Sequence, residues 1–327
     1  MPRALIVGVS GQDGAYLSQL LLDKGYEVWG TSRDAEGRRF ANLQVLDVAK
    51  AVVKRSMNPL DLGSVIELFG DCRPDEIYNL GGQSSVGLSF AQPAETLSSI
   101  VLGTQNLLEA IRLTRPSARF YSAGSSESFG DTGGFPADET TPFRPRSPYG
   151  VAKASAFWQV AAWRQAYGLF SATGILFNHE SPLRPARFVT SKIVHAAARI
   201  AAGSAERLVL GQTDIVRDWG YAPEYVEAMW AMLQQQEPED FVIATGYPMS
   251  LDDFVATAFA RFGLDHRDHI DSDPAFFRPN ELGYSCGMAV LAEERLGWRA
   301  RTRGPELITL LADAASSKLR TGESRVG

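Results

Sequence analysis

The sequence predicts an α/β protein, a doubly wound parallel sheet followed by a smaller mixed α/β region. Three observations predict it. Short continuous apolar runs alternate with helix-patterned segments over the first half of the chain, as in a parallel sheet covered on both faces. The first apolar run leads straight into Gly8-Val9-Ser10-Gly11-Gln12-Asp13-Gly14, a glycine-rich turn that opens a helix. Beyond residue 178 the rhythm breaks into loops richer in Arg, Pro and aromatic residues, at 182–190, 211–221 and 274–281.

Taken in order, residues 3–9 read as a buried strand and 13–24 as a helix with Tyr16, Leu20 and Leu21 on its apolar side. Strands fit 26–32, 51–57 and 75–80, and helices fit 61–70 and 95–114. A fifth strand fits 117–123, a helix 148–167 and a strand 170–177. Phe241-Val242-Ile243-Ala244 reads as one more short strand. We therefore expect residues 1–177 to form a Rossmann domain of the dinucleotide-binding kind, with 211–246 partly returning to it. Residues 178–210 and 247–327 would form the second region, closing over the carboxyl edge of the sheet. The polar tail after about Lys318 is expected to fray.

Composition limits the partners. The chain has 327 residues, 45% of them hydrophobic, which is ordinary globular composition. Its net charge is -6, so its long-range field does not draw in nucleic acid or an anionic membrane, although a local basic pocket for a small anion is compatible with it. Cys72 and Cys286 have no metal-ligand spacing and form no disulfide framework, so both are expected to be buried thiols. Ala4-Leu5-Ile6-Val7 begins a strand rather than a leader segment, and no apolar run approaches the roughly 20 residues of a membrane span. A cytoplasmic location is the expectation.

Within the first turn, Gly8 permits the tight bend, Gly11 admits a pyrophosphate to the backbone and Gly14 lets helix and strand pack closely. Gln12 and Asp13 lie in the same cradle. After the second strand come Ser32, Arg33 and Asp34. An acidic residue there suits a free ribose hydroxyl and Arg suits a 2′-phosphate, so Arg33 favours NADP while NAD stays open. Asn58, past the third strand, could meet the adenine or cap a turn.

Tyr149 and Lys153 stand one helical turn apart on one face, after Ser147 as N-cap and Pro148 at the first helical position. Lys153 can hold the cofactor ribose and lower the phenol's pKa, so that Tyr149 removes a hydroxyl proton as hydride leaves carbon. Ser125-Ser126-Glu127 follows the fifth strand, at the carboxyl edge where ligands bind. Ser125 can hydrogen-bond the reacting hydroxyl or ketone, and Glu127 can act as general base or acid beside it.

These stretches, with Asn178-His179-Glu180-Ser181-Pro182, Arg217-Asp218-Trp219-Gly220 and Phe276-Phe277-Arg278-Pro279, make the chain resemble the GDP-mannose 4,6-dehydratases over nearly its whole length. The resemblance implies a GDP-mannose or related GDP-hexose substrate. Tyr149 would serve the redox half at C4, and Glu127 would remove the C5 proton and assist loss of the C6 hydroxyl as water. It implies cofactor contacts at Gly81, Gln83, His179 and Arg184. It implies substrate contacts at Ser85, Asn178, Val189, Lys192, Gly211, Arg217, Arg278 and Glu281, the cations meeting the diphosphate. It also implies a homodimer or homotetramer.

The chain departs from the family pattern in several places. Ser125 replaces Thr, Asp34 replaces the second of two Arg, Gly81-Gly82 replaces Ala-Ala, Ser85 replaces a larger residue, Ser191 replaces Arg, and Met288-Ala289 replaces an Asn-Pro turn. Two other readings use the same residues. A GDP-sugar ketoreductase or epimerase would need Tyr149 and Lys153 but no elimination base, and a nucleotide-binding sensor would have lost turnover.

Overall fold

The computed structural model describes residues 1–277 and 279–321. In chain order the strands are β1 (Arg3–Val7), β2 (Glu27–Ser32), β3 (Val53–Ser56), β4 (Glu76–Asn79), β5 (Arg119–Ala123), β6 (Ser171–Leu176) and β7 (Asn178–Glu180). They continue with β8 (Leu208–Leu210), β9 (Val216–Tyr221), β10 (Phe241–Ile243), β11 (Pro248–Ser250), β12 (Ile270–Ser272) and β13 (Tyr284–Ser285). The helices are α1 (Gln12–Asp23), α2 (Ala41–Val45), α3 (Leu62–Cys72), α4 (Val86–Ala91), α5 (Pro93–Leu97) and α6 (Gly103–Thr114). Then come α7 (Pro148–Tyr167), α8 (Val189–Ala201), α9 (Ala222–Leu233), α10 (Leu251–Ala260), α11 (Val290–Leu296) and α12 (Pro305–Thr321).

Seven strands make one parallel sheet in the order β10-β6-β5-β4-β1-β2-β3. The chain runs outward from β1 through β2 to β3, then restarts at β4 on the other side. The crevice between the ends of β1 and β4 is therefore the switch point where such sheets bind ligands. Alternation along β1 supplies both cores. Leu5 and Val7 pack with Leu68, Phe69, Leu107 and Phe120 on the α3–α6 face. Ala4 and Ile6 pack with Leu17, Leu21, Met229 and Leu233 on the α1–α9 face. A separate apolar cluster joins α8, α10 and α12 around Trp219 and Phe254, and β9 forms a second sheet with β7, β11 and β13.

The strand and helix expectations hold within a residue or two, and Phe241–Ile243 forms β10, paired with β6. The stretch expected as one helix over 95–114 differs. It comprises α5, a π-helical turn at Ser98–Leu102, and α6. The wide turn faces the loop after β4: Ser99 Oγ accepts from the Gln83 amide at 3.4 Å, and a side chain on Gly82 would meet Ile100 at 2.9 Å. Such turns recur where a helix is shaped by a neighbouring site, and hydrophobic spacing alone carries no mark of one. Of the tail expected to fray after about Lys318, the first residues are helical instead. The chain stays helical to Thr321 because α12 packs against α8 and α10, and 322–327 lie outside the described residues. Both cysteines are buried thiols. Among the described residues no helix is long and apolar enough to cross a membrane.

Candidate active site

The floor of the crevice is the turn from β1 into α1. Gly8 has φ +88°, a conformation L side chains rarely adopt, and a Cβ there would lie 3.0 Å from the Leu80 backbone. At Gly14 a Cβ would lie 2.6 Å from Val9 Cα, so this glycine sets how closely α1 approaches the sheet. Gly11, the N-cap of α1, is exposed, and the nearest atom to an added Cβ is Gly8 O at 3.4 Å. An open backbone cradle at a helix N-terminus fits a dinucleotide diphosphate. Gly81 lies on the opposite lip, packed on Val7.

Gln12 is buried and spends its carboxamide on protein. It donates to Asp13 Oδ1 at 3.0 Å and to the His179 carbonyl at 3.1 Å, and accepts from Ser181 Oγ at 2.7 Å. Asp13 faces His179, with Oδ2 3.0 Å from Nε2. Burial acts to raise the Asp13 carboxyl, but the His179 charge and hydrogen bond, Gln12 and Arg184 together hold it at about 2. Arg184 pairs with buried Glu180 at 3.1 Å and lies over the Phe188 ring. Glu180, whose role nothing in its spacing reveals, also accepts from Thr190 Oγ1 at 2.7 Å and anchors Arg184.

The chemical groups stand on the wall formed by β5 and α7. Ser147 Oγ caps α7 by accepting from the Gly150 amide at 3.0 Å, which fixes Tyr149 and Lys153 in the first two turns. A short 3-10 turn at Ser126–Ser128 carries Glu127, and Ser125 Oγ accepts from its amide at 3.3 Å. The turn touches α7 closely: a Cβ on Gly150 would meet the Glu127 carbonyl at 2.6 Å. Glu127 is half-buried, and its charge is felt at Tyr149.

Tyr149, Lys153 and Ser125 are all buried. Burial pushes the Tyr149 phenol up to about 12, opposed by its hydrogen bond with Ser125 and reinforced by Glu127. The expectation that Lys153 lowers this pKa is corrected. Its Nζ lies 5.8 Å from the phenol ring centroid and donates to the Ala123 carbonyl at 2.7 Å, so burial dominates the phenol. Burial also brings Lys153 down to about 8, against the pull of Asp13.

Other expected residues have found protein partners. Asn58 Oδ1 caps the next turn by accepting from the Leu60 amide at 3.1 Å. Ser32 ends β2, and the exposed Arg33 reaches Glu95 at 3.4 Å. Asp34 Oδ1 accepts from the amides of Glu36 and Gly37 at 3.1 and 2.9 Å. Gln83 closes its own loop onto Ser85 and Thr96, and Ser85 caps α4.

On the far side Asn178 begins β7 and Val189 begins α8. Lys192 donates to the Val209 carbonyl at 2.6 Å and lies 4.8 Å from the Phe276 ring centroid, while Gly211 packs on the Phe276 backbone. Arg217 and Glu281 form a pair at 2.6 Å, largely removed from solvent. Glu281 and Glu127 line one small cavity with Arg146 and Phe90, so the two walls meet. Arg278 lies outside the described residues. Asp218, beside Arg217, turns away to bind Thr245 and Gly246 at 2.6 to 3.0 Å, which locks β9 to the turn after β10.

The profile of the family described as GDP-mannose 4,6 dehydratase matches residues 5–311. GDP-mannose 4,6 dehydratase 1 of Arabidopsis thaliana is 42% identical over 320 residues, covering 95% of this chain and 88% of that one. GDP-mannose 4,6 dehydratase of Homo sapiens is 40% identical over 343 residues, covering 97% and 92%. Among solved structures, UDP-glucose 4-epimerase of Thermotoga maritima with UDP-glucose superposes with TM-score 0.86 at 22% identity, covering 97% of this chain and 99% of that one. dTDP-glucose 4,6-dehydratase of Bacillus anthracis in complex with NAD gives 0.85 at 17%, covering 99% and 98%.

Proposed function

Because the chain belongs to the GDP-mannose 4,6-dehydratase family, we propose that it converts GDP-mannose to GDP-4-keto-6-deoxymannose and water. The observation that carries this reading is the meeting of two kinds of group on one wall. Tyr149 and Lys153 on α7 suit a redox step, and Glu127, on the turn held against Gly150, suits an elimination. A ketoreductase or epimerase needs only the first.

A bound nicotinamide dinucleotide supplies the acceptor and later the donor of hydride. Gly8, Gly11, Asp13, Gly14, Gly81 and Lys153 would hold it, with Arg184 and His179 beside it. Tyr149 takes the C4 hydroxyl proton, with Ser125 sharing the hydrogen bond. Because burial keeps the free phenol neutral, the base has to be generated as ligands fill the crevice. The C4 ketone acidifies the C5 proton, which the Glu127 carboxylate removes. The same carboxyl passes that one proton to the departing C6 hydroxyl, which leaves as water, and the proton later needed at C5 is made up by the one Tyr149 took from the C4 hydroxyl, relayed through solvent, which returns both residues to their starting states. Lys192, Arg217 and Arg278 would meet the diphosphate, and Glu281 the ribose. Ser85, Asn178, Val189 and Gly211 would complete the substrate side.

We favour NADP over NAD. Asp34 already accepts from two amides of its own loop, whereas Arg33 is exposed and held by a surface pair of the kind that contributes about 0–1 kcal/mol. A homodimer is proposed through α5, the π turn and α7, where Leu97, Leu102, Val151 and Trp158 stand exposed. A cytoplasmic setting goes with this reading.

The test is incubation with GDP-mannose plus NADP or NAD, without reductant, followed by mass spectrometry. Loss of one water with no net cofactor reduction supports the proposal. An unchanged sugar, together with reduction of a 4-keto sugar nucleotide by NADPH, would replace it with a ketoreductase.

A further inference from the structure

His179 sits between two acceptors. Its Nδ1 lies 2.8 Å from the Phe177 carbonyl oxygen, and its Nε2 lies 3.0 Å from Asp13 Oδ2. A carbonyl oxygen only accepts. An ionised carboxylate also only accepts, and the other Asp13 oxygen already receives the Gln12 amide at 3.0 Å. A neutral imidazole carries one N–H and would leave one of these contacts facing lone pair to lone pair. Only the doubly protonated ring satisfies both. The ring is buried and stacks on Tyr225, with centroids 4.6 Å apart and planes at 22°.

We propose that His179 is a permanently charged positioning residue, an imidazolium that bolts the first turn of α1 to β7 through Asp13. The bolt joins the two halves of the crevice: Asp13 lies two residues beyond the cradle at Gly11, and β7 opens the substrate side. Gln12 and Ser181 make a second tie between the same elements. The consequence for cofactor binding rests on the dinucleotide reading above, whereas the charge state of the ring does not.

The groups facing His179 are Asp13 from α1, Arg184 from the loop after β7 and the neutral phenol of Tyr225 from α9. Lys153 from α7 reaches the pair through Asp13. Burial opposes the charge on the ring and so does Arg184, but Asp13 outweighs both and raises the imidazole above its ordinary value. The pair then carries no net charge beside the diphosphate cradle. Without Asp13, burial and Arg184 act unopposed and the ring becomes neutral.

The experiment is nitrogen NMR of the full chain labelled on its histidine rings. There are four histidines, and the signal lost in His179→Gln identifies the one in question. The expected wild-type result is two protonated ring nitrogens across pH 5.5 to 7.5. In Asp13→Asn the ring should become neutral within that range. Affinities for NAD, which has no 2′-phosphate to titrate in this range, should be flat in pH from 5.5 to 7 for the wild type. For Asp13→Asn they should be about tenfold weaker at pH 7, the size of one charge-assisted tie, and should recover as pH falls. A wild-type ring with one unprotonated nitrogen at pH 7 overturns the proposal. So does Asp13→Asn with wild-type affinities and pH profile. If that variant does not fold, the wild-type spectrum alone decides. A charged ring in a protein that fails to dehydrate GDP-mannose would sink the proposed reaction and leave this inference standing.

Discussion

At the scale of single residues, the site is a set of buried groups whose protonation is set by burial first and by neighbours second. Lys153 makes the consequence measurable. Burial brings its ammonium down to about 8, and a nicotinamide dinucleotide is an anion. Affinity for NADP should therefore fall as pH rises through 8, whereas Lys153→Arg, which keeps its charge, should bind with a flatter profile between pH 7 and 9. Isothermal titration across that range reads the difference. Glu127→Gln should lose dehydration by about a hundredfold or more while holding NADP within about twofold, read by product formation and cofactor titration. Asp13 supplies a stability prediction. Its folded pKa of about 2 lies below the ordinary 3.8, so its contribution is present above pH 4 and is lost as pH falls toward 2. Asp13→Asn should flatten the acid-unfolding curve in that window. Residue identity was the most legible layer. Gly8, Gly14 and Ser147 are legible because each serves a local backbone need, and Tyr149 and Lys153 because they stand one helical turn apart behind that cap. The pKa of Tyr149 was not legible, because burial is a property of the whole packed wall.

At the scale of elements, α7 and the turn after β5 act as one unit. Ser147→Ala removes the cap of α7 and should cost about 1 kcal/mol, measured as a shift in the denaturant midpoint. Gly150→Ala should do more, because its Cβ would enter the space of the Glu127 carbonyl. We expect it to lower turnover through Glu127 with less effect on cofactor affinity. The central strands of the main sheet are readable because both of their faces are buried, which leaves unbroken apolar runs such as Ala4–Val7, whereas the edge strand β3 is half-buried to exposed. The π turn at Ser98–Leu102 was not readable, because its cause lies in the loop at Gly82–Gln83, distant in sequence. Asp218 marks the same limit. It stands in a motif that draws attention for its charge, yet it holds a turn at Thr245 and Gly246.

At the scale of the whole molecule, the parallel sheet presents one crevice at its switch point, and the second sheet with α8 faces it across the ties from Gln12 and Asp13. Trp158→Glu should move the proposed homodimer toward monomer in sedimentation velocity, while the monomer retains its fold by circular dichroism. Contact range decides how much of this arrangement the sequence reveals. The doubly wound sheet came from local alternation, whereas the meeting of Glu281 with Glu127 depends on residues that are neighbours only after folding. The central claim is that a single wall performs oxidation at C4 and elimination across C5 and C6 without an outside reductant. GDP-mannose carrying deuterium at C4 tests it most directly. The expected product has lost one water and carries the label at C6, with no reduced cofactor left over. Label remaining at C4, or accumulating on the cofactor while the sugar keeps its water, would contradict it.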